Sequence, residues 1–526
     1  MRTRIFKYIF IVSTILALSG CGKEFLNRVP ESTLTVESFY KSPEQLRQAT
    51  AGLYSVVWFQ YNDKAAIGMG DGLGGNILGP WTTNLSLFYQ FNVTPLNTDL
   101  SNAWKAFYRV VAQSNFTIAN INKYAENVTQ DEINAAIAEA RFMRATAYFY
   151  LVRLWGPVMI IENHNELIEN FQVPLAPVED VYRFIIEDFQ FAVDNLPVSD
   201  EPGRVTSWSA KGMLAKVYLA YSGYNQNGSR DTQMLAKAAE LSGDVCKNSG
   251  LELFNDYEGL FFLKNENNQE SLFSLQWVEL GAWGSQNTFQ AYYAYSSDIT
   301  GVGDGWGGGN GPSYDLIREF LSDPADTLRL HATCFTYGDY YPEIKKKNGG
   351  ITFELANPKI KKYVIGTPED NDGNVAIMNA SINTYMLRLA DVYLTYAEAV
   401  LGNNFSTNNP DALYYFNLVR ERAGLEPKAS IDFEDVFHER RMEFAIESQL
   451  WYDIVRWYYY EPQEALDYIN SQKRDYDFTF DDNGLVLGDP FSEVTATAED
   501  IFLPYPENDV IQNPELVEDP VPYNFD

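Results

Sequence analysis

Apolar side chains recur every three to four residues along most of the first half of this 526-residue chain, and that period commits it to packed α-helices. Ser42-Pro43-Glu44 opens one such run, followed by Leu46, Ala49 and Leu53. Residues 102–124 carry Ala103, Phe107, Val110 and Ile121 on one stripe. The run from Ile133 through Ala140, Ala147 and Leu154 is stopped by Gly156-Pro157. Further helices are predicted over 177–196, 206–221 and 232–247, and later over 384–401, 411–423 and 433–459. Alanine stands where neighbouring helices must approach closely (Ala140, Ala147, Ala210, Ala215, Ala220, Ala390, Ala397). Helix, short turn and helix, repeated, is the texture of tetratricopeptide-type hairpins that stack to share one core. A mainly α fold is therefore expected, with scaffold at about 37–250 and 384–460. Between 251 and 383 the period fails, and Gly, Asn, Asp and aromatics take over around short strand-like runs such as 271–278. So long an irregular insertion in a helical scaffold points to function.

Lys and Arg total 39 against 71 Asp and Glu, a formal charge of -32, which excludes a nucleic-acid partner. Three His (164, 331, 438) and three Cys (21, 246, 334) are too few and too scattered for a metal centre or haem, so no cofactor is expected.

Arg2, Arg4 and Lys7 precede a short apolar run over 8–18, too brief to span about 30 Å of hydrocarbon, which reads as an export signal. Leu18-Ser19-Gly20-Cys21 resembles the lipobox of bacterial lipoproteins. The resemblance implies removal of residues 1–20, lipidation of Cys21 and attachment to a membrane through that lipid. Residues 21–36, polar and holding Pro30, read as a tether. Cys246 and Cys334 are expected as buried thiols.

Six segments, in order, make the mature chain similar to the SusD/RagB-like lipoproteins of Bacteroidetes-type nutrient uptake systems. They are Phe25-Leu26 with Pro30 behind the lipobox; Glu139 to Leu151 with Gly156-Pro157; Met386 through Glu398; Asn417 to Leu425; Glu439 to Glu447 with Trp451, Asp453 and Arg456; and Leu503-Pro-Tyr-Pro-Glu507 with Asn513-Pro514. The resemblance implies one tetratricopeptide-like domain over 37–526, a place on the outer membrane at the cell surface, a variable face that binds oligosaccharide, and association with a SusC-like TonB-dependent transporter.

The charged residues inside these segments (Arg141, Arg144, Glu439, Arg440, Glu443, Glu447) have spacings suited to ion pairs between helices. No catalytic residue is assigned. A glycoside hydrolase using paired carboxylates is the rival reading, with a transporter-assembly or peptide-capture subunit as a third. Gly70 to Gly75 and Gly303 to Gly308 both fit G-x-G-x-x-G, but neither clearly joins a strand to a helix. They read as flexible loops presenting aromatic rings rather than as nucleotide sites.

Of ten Trp, Trp58, Trp104, Trp155, Trp451 and Trp457 fall on periodic helices, Trp208 at a helix start and Trp277 in an apolar strand, all positions of packing. Trp81, Trp283 and Trp306 are flanked instead by Gly and polar residues, with little bulk to hide under. A flat indole covers the apolar face of a pyranose while amides and carboxylates take its hydroxyl rim. The expected glycan site is therefore Trp81, Trp283 and Trp306, with Asp63, Asn84, Gln286, Asn287 and Asp304 as rim partners and Tyr292, Tyr293 and Tyr295 as further aromatics. A flat platform would suit an extended plant β-glucan such as xyloglucan or mixed-linkage glucan, and a curved arc a starch helix. The family resemblance implies the flat case, because members that bind plant β-glucans are described with such platforms.

Overall fold

The computed structural model describes residues 36–525 except 81, 165, 166 and 168–170; the export signal, Cys21 and most of the tether lie outside the described residues. Ten scaffold helices are numbered here α1 Pro43–Ala51, α2 Thr98–Tyr124, α3 Gln130–Trp155, α4 Val178–Asn195, α5 Ser207–Tyr221, α6 Thr232–Asn248, α7 Leu389–Leu401, α8 Pro410–Arg422, α9 Phe433–Glu443 and α10 Leu450–Tyr458. Local chemistry sets their ends. Ser42 caps α1, the Asn97 side chain accepts from the backbone N–H groups of Asp99 and Leu100, and Thr129 with Glu132 forms a reciprocal capping box on α3. Gly156, at φ +73°, ends α3.

From α2 to α8 each helix packs against the next, giving the stack of hairpins that the period predicts. Close approach is made where side chains are missing. A Cβ on Gly212 of α5 would lie 2.9 Å from Leu387, and one on Gly243 of α6 would lie 2.8 Å from the Tyr396 ring. One contiguous core runs from Leu53 through the scaffold and the irregular stretch, including Phe335 and Ile360, to Leu516. Cys246 and Cys334 are buried free thiols, and burial pushes Cys334 up to about 12. No helix among the described residues is long and apolar enough to cross a membrane.

Two predicted helices are corrected. Within 384–401, Thr384–Arg388 is a strand paired antiparallel with Ser271–Leu275, and only Leu389 onward is helical. All five strand residues are buried, so no alternation betrays them. The predicted 433–459 helix breaks after Glu443, where Ile446 and Ser448 take φ of 64° and 57°. Their amides donate to the carboxylate of Asp71, at 3.2 and 2.7 Å, instead of to a helix. The first glycine run is corrected as well. Residues 70–75 form no open loop but a buried part of a helical stretch with two π-helical turns, Tyr61–Ala65 and Ile67–Gly72.

The motif charges form a buried lattice, as their spacing predicts. Arg144 holds Asp188 at 2.7 Å, and Arg440 bridges Asp391 and Asp453 at 2.8 and 2.9 Å. Arg388 reaches Glu270, Glu443 and Glu447 at 2.6, 2.9 and 2.8 Å. Burial alone would push Glu443 up, but Arg422, Arg388 and Arg329 outweigh it and hold its carboxyl below the usual range.

Candidate functional site

The helical run through Phe59 and Asp63 supports two exposed indoles. Trp283, 64% exposed, stands edge-on to the buried ring of Phe59 with centroids 5.0 Å apart. Trp306, 51% exposed, lies 5.9 Å from Tyr292, whose hydroxyl donates to Asp63 at 3.4 Å. Phe59 and Asp63 stand four residues apart on that run, which passes through the π-helical turn Tyr61–Ala65. Each indole is carried on a glycine-rich turn that backbone bonds fix in place. Trp306 N–H donates to Ala291 O at 2.7 Å, and Gly305, at φ +100°, fits against Ser296 O where a Cβ would lie at 2.4 Å. The second glycine run thus presents an aromatic ring as expected, but it is corrected from a flexible loop to a turn fixed by backbone bonds. Trp81 lies outside the described residues.

The rim assignments divide. Asn84 is exposed and its amide reaches Asp99, while half-buried Asp63 faces Tyr292. Gln286, Asn287 and Asp304 are corrected, being 3%, 0% and 2% exposed and spent on the protein's own backbone. Gly284 and Ser285 N–H donate to Gln286 Oε1 at 2.8 and 3.1 Å, which folds the turn under Trp283. Asn287 Nδ2 donates to Ile382 O at 2.6 Å, and Met378 N–H donates to Asp304 Oδ2 at 2.6 Å. Short polar side chains beside glycine turns satisfy those turns before they meet any ligand. Tyr295 is also corrected, since it packs edge-on between Phe335 and Phe353, and Tyr293 is buried. The packing Trp behave as expected. Trp58, Trp104, Trp155, Trp277 and Trp451 are buried, while Trp208 and Trp457 are partly so.

A cavity of about 460 Å³ opens beside Trp306. Ile67, Gly68, Leu85 and Phe88 give it apolar walls, and Lys64, Asn84, Asp99, Tyr292 and Asn310 give it polar ones. Lys64 and Asp99 are not visible as site residues in the sequence, because Asp99 reads as a helix-start acid behind Asn97 and Lys64 as an exposed helical charge. Only its place beside Asp63 could have flagged Lys64. Its ammonium lies 5.1 Å from the Tyr292 ring centroid. Burial raises the carboxyls of Asp63 and Asp99, while Lys64 pulls both down. Carboxylate acceptors, ammonium and amide donors and an apolar floor in one cavity can bind a polyhydroxylated ring. Among the described residues no group of three or more His, Cys, Asp or Glu could hold a metal ion.

A stack of helical hairpins that presents exposed indoles from an irregular stretch, one of them on a mixed polar cavity walled mainly by residues 64–99, defines a helical-repeat binding protein. The family described as "SusD family" matches residues 218–521, and the one described as "Starch-binding associating with outer membrane" matches 24–219. A SusD-like protein of Bacteroides ovatus is 46% identical over 99% of this chain and 98% of its own length. A structure solved with xylogluco-oligosaccharide superposes with TM-score 0.87 at 46% identity, covering 91% of this chain and 99% of that one. A laminarin-binding SusD-like protein shares the fold, with TM-score 0.69 at 23% identity, over 90% and 98% of the two chains. The chain belongs to the SusD family.

Proposed function

We propose that the protein is a non-catalytic, lipid-anchored receptor of the outer-membrane surface that captures oligo- and polysaccharide and hands it to a TonB-dependent transporter. The ligand class favoured is a plant β-glucan such as xyloglucan. The observation that carries this reading is the exposed indole of Trp306 on a cavity with both apolar and polar walls, with a second exposed indole, Trp283, braced on Phe59. The 46% identical structure solved with xylogluco-oligosaccharide supports the glycan class. The proposed site comprises these two rings and Trp81, with Asp63 and Asn84 on the rim and Lys64 and Asp99 added from the cavity. Binding without catalysis is supported by where the motif carboxylates go, since Glu439, Glu443 and Glu447 are buried in ion pairs with arginine and lysine. Lipidation at Cys21, the signal over 1–20 and the tether over 21–36 complete the reading.

The test is affinity electrophoresis of the mature protein through a panel of xyloglucan, mixed-linkage glucan, laminarin and starch, with reducing ends assayed in parallel. Retardation by a β-glucan without new reducing ends is expected. Release of reducing ends would replace the receptor with a hydrolase, and indifference to every polysaccharide would leave the exposed rings without a carbohydrate role.

A further inference from the structure

A second cavity, of about 330 Å³, lies on the far side of the turn that carries Trp306. Asn310 lines both this cavity and the one beside Trp306. Its amide is a built divider. Thr82 Oγ1 donates to Asn310 Oδ1 at 2.9 Å, and Asn310 Nδ2 donates to Tyr292 O at 3.3 Å, which ties the segment before Asn84 to the helix of Tyr292. Over that divider runs Gly307–Gly309, which carries no side chain to block a ligand passing between the cavities. Glycine is required there, because a Cβ on exposed Gly308 would lie 2.9 Å from Tyr295 O. From below, the Lys359 ammonium donates to Gly308 O at 2.8 Å and reaches Asn310 O at 3.5 Å, so the crossing is preformed.

The far cavity has the surface chemistry of a sugar subsite. Phe491, 45% exposed, offers an aromatic face, and its backbone N–H is fixed to Asp475 O at 2.8 Å. Exposed Asp477 and Asn357 stand on the same lining. Phe478 N–H donates to Asp477 Oδ1 at 2.9 Å and Asn357 Nδ2 donates to Phe478 O at 2.7 Å, so what they offer a sugar hydroxyl as acceptors is Asp477 Oδ2 and Asn357 Oδ1. An isolated exposed ring needs no explanation, but one set over a cavity that adjoins a polar site and shares its wall is a stacking platform.

We propose that the cavity under Phe491 is an additional saccharide subsite, into which a glycan lying on Trp283 and Trp306 continues across Gly307–Gly309. This rests on the glycan-binding reading above and extends it, because it makes the protein selective for longer chains. Asn310 separates the subsites, and Phe491 supplies the distal stacking surface. A ligand too short to cross the glycine turn gains nothing from it.

The experiment is calorimetric titration of the full mature chain with xylogluco-oligosaccharides of increasing length, for wild type, Phe491→Ala and Phe491→Tyr. Wild-type affinity is expected to keep rising with length beyond the point where Phe491→Ala levels off. The longest ligand should bind Phe491→Ala about five- to tenfold more weakly, the loss of one partly used aromatic face. The shortest binding ligand should be unaffected, and Phe491→Tyr should match wild type at every length. Because Phe491 is half in solvent, thermal unfolding is expected to hold; should Phe491→Ala prove unstable, Asp477→Ala in the same titration carries the test. Equal affinities of wild type and variants at every length, or an equal loss for short and long ligands, would overturn the subsite while leaving the receptor intact. Failure of wild type to bind any oligosaccharide would overturn the receptor reading and the subsite with it.

Discussion

Truncating Trp283 or Trp306 to alanine asks how much each exposed ring contributes, and its magnitude follows from exposure. A tryptophan presents up to about 250 Å², so Trp283 at 64% leaves ~160 Å² in water and Trp306 at 51% leaves ~130 Å². A pyranose lying on one face covers about half of that, ~65–80 Å². At about 25 cal/mol per Å² each ring contributes ~1.6–2 kcal/mol, a loss of about 15- to 30-fold in affinity per truncation. The two rings rest on different supports, Phe59 and Tyr292, so the double variant is expected to lose close to the product of the single losses. Calorimetric titration with the glycan retained in electrophoresis measures this, and thermal unfolding serves as the control. Both rings stand outside the core, so unfolding should shift little. A single variant that keeps wild-type affinity would refute stacking at that ring. A large fall in the unfolding midpoint would mean that the ring braces its loop and offers no platform.

Glu266 should give the protein a distinct pH dependence. Burial, with nearby Glu279, raises its carboxyl to about 8 against an ordinary 4.5, and the Asn383 N–H only partly offsets this. The folded state therefore holds a proton that the unfolded chain releases, so this group's contribution is complete below pH 4.5 and is lost as pH rises through 8. Denaturant titrations of wild type and Glu266→Gln across that window should diverge as pH rises, with the variant flatter; parallel curves would exclude the assignment. Gly70→Ala should lower the unfolding midpoint by the equivalent of about 1–3 kcal/mol, because its Cβ would sit 2.4 Å from the Ser448 backbone. Gly52→Ala, with open space around the new methyl and φ of -66°, should be neutral or stabilising by up to about 1 kcal/mol, and calorimetric scans of the pair check both signs. Gln286→Ala should weaken glycan binding about three- to tenfold without any direct contact, since it removes the acceptor for two N–H groups under Trp283 at about 0.5–1.5 kcal/mol each. Unchanged binding would show that the turn holds itself.

The scaffold is legible in the sequence because its causes are local. Asn97, Thr129 and Gly156 mark helix ends within a few residues of the stripes they bound. The break between α9 and α10 is illegible because the carboxylate that unwinds it belongs to Asp71, some 375 residues away. The strand before α7 hides for a related reason. Its partner Ser271–Leu275 is remote, and burial on both faces erases the two-residue period. Within the site, the aromatic part is readable and the polar part is not. Glycine neighbours leave Trp283 and Trp306 uncovered, a statement about local bulk. Whether an amide such as Gln286 or Asn287 faces ligand or its own turn depends on which donors stand unpaired nearby, and in both cases the turn wins.

Because Gln286 and Asn287 serve their own turns, the loops of this face are held before any ligand arrives. Association costs translational freedom and the ordering of side chains, and a ring on a loose glycine loop would spend most of its stacking energy on being ordered. Here the loops are ordered in advance by polar groups, two of them buried. Gln286 folds the Trp283 turn, Asn310 joins Thr82 to Tyr292, and Lys359 holds the glycine turn beyond Trp306. The lattice beneath extends the same logic inward, with Arg388 joining the strand that Asn383 precedes to three buried glutamates. Such pairs add little net stability once desolvation is counted, but removing one partner strands the others, which fixes a single arrangement. On the proposed reading, a face built from few exposed rings and one open cavity depends on that fixity more than on contact area, so residues that never touch the glycan set its affinity alongside those that do.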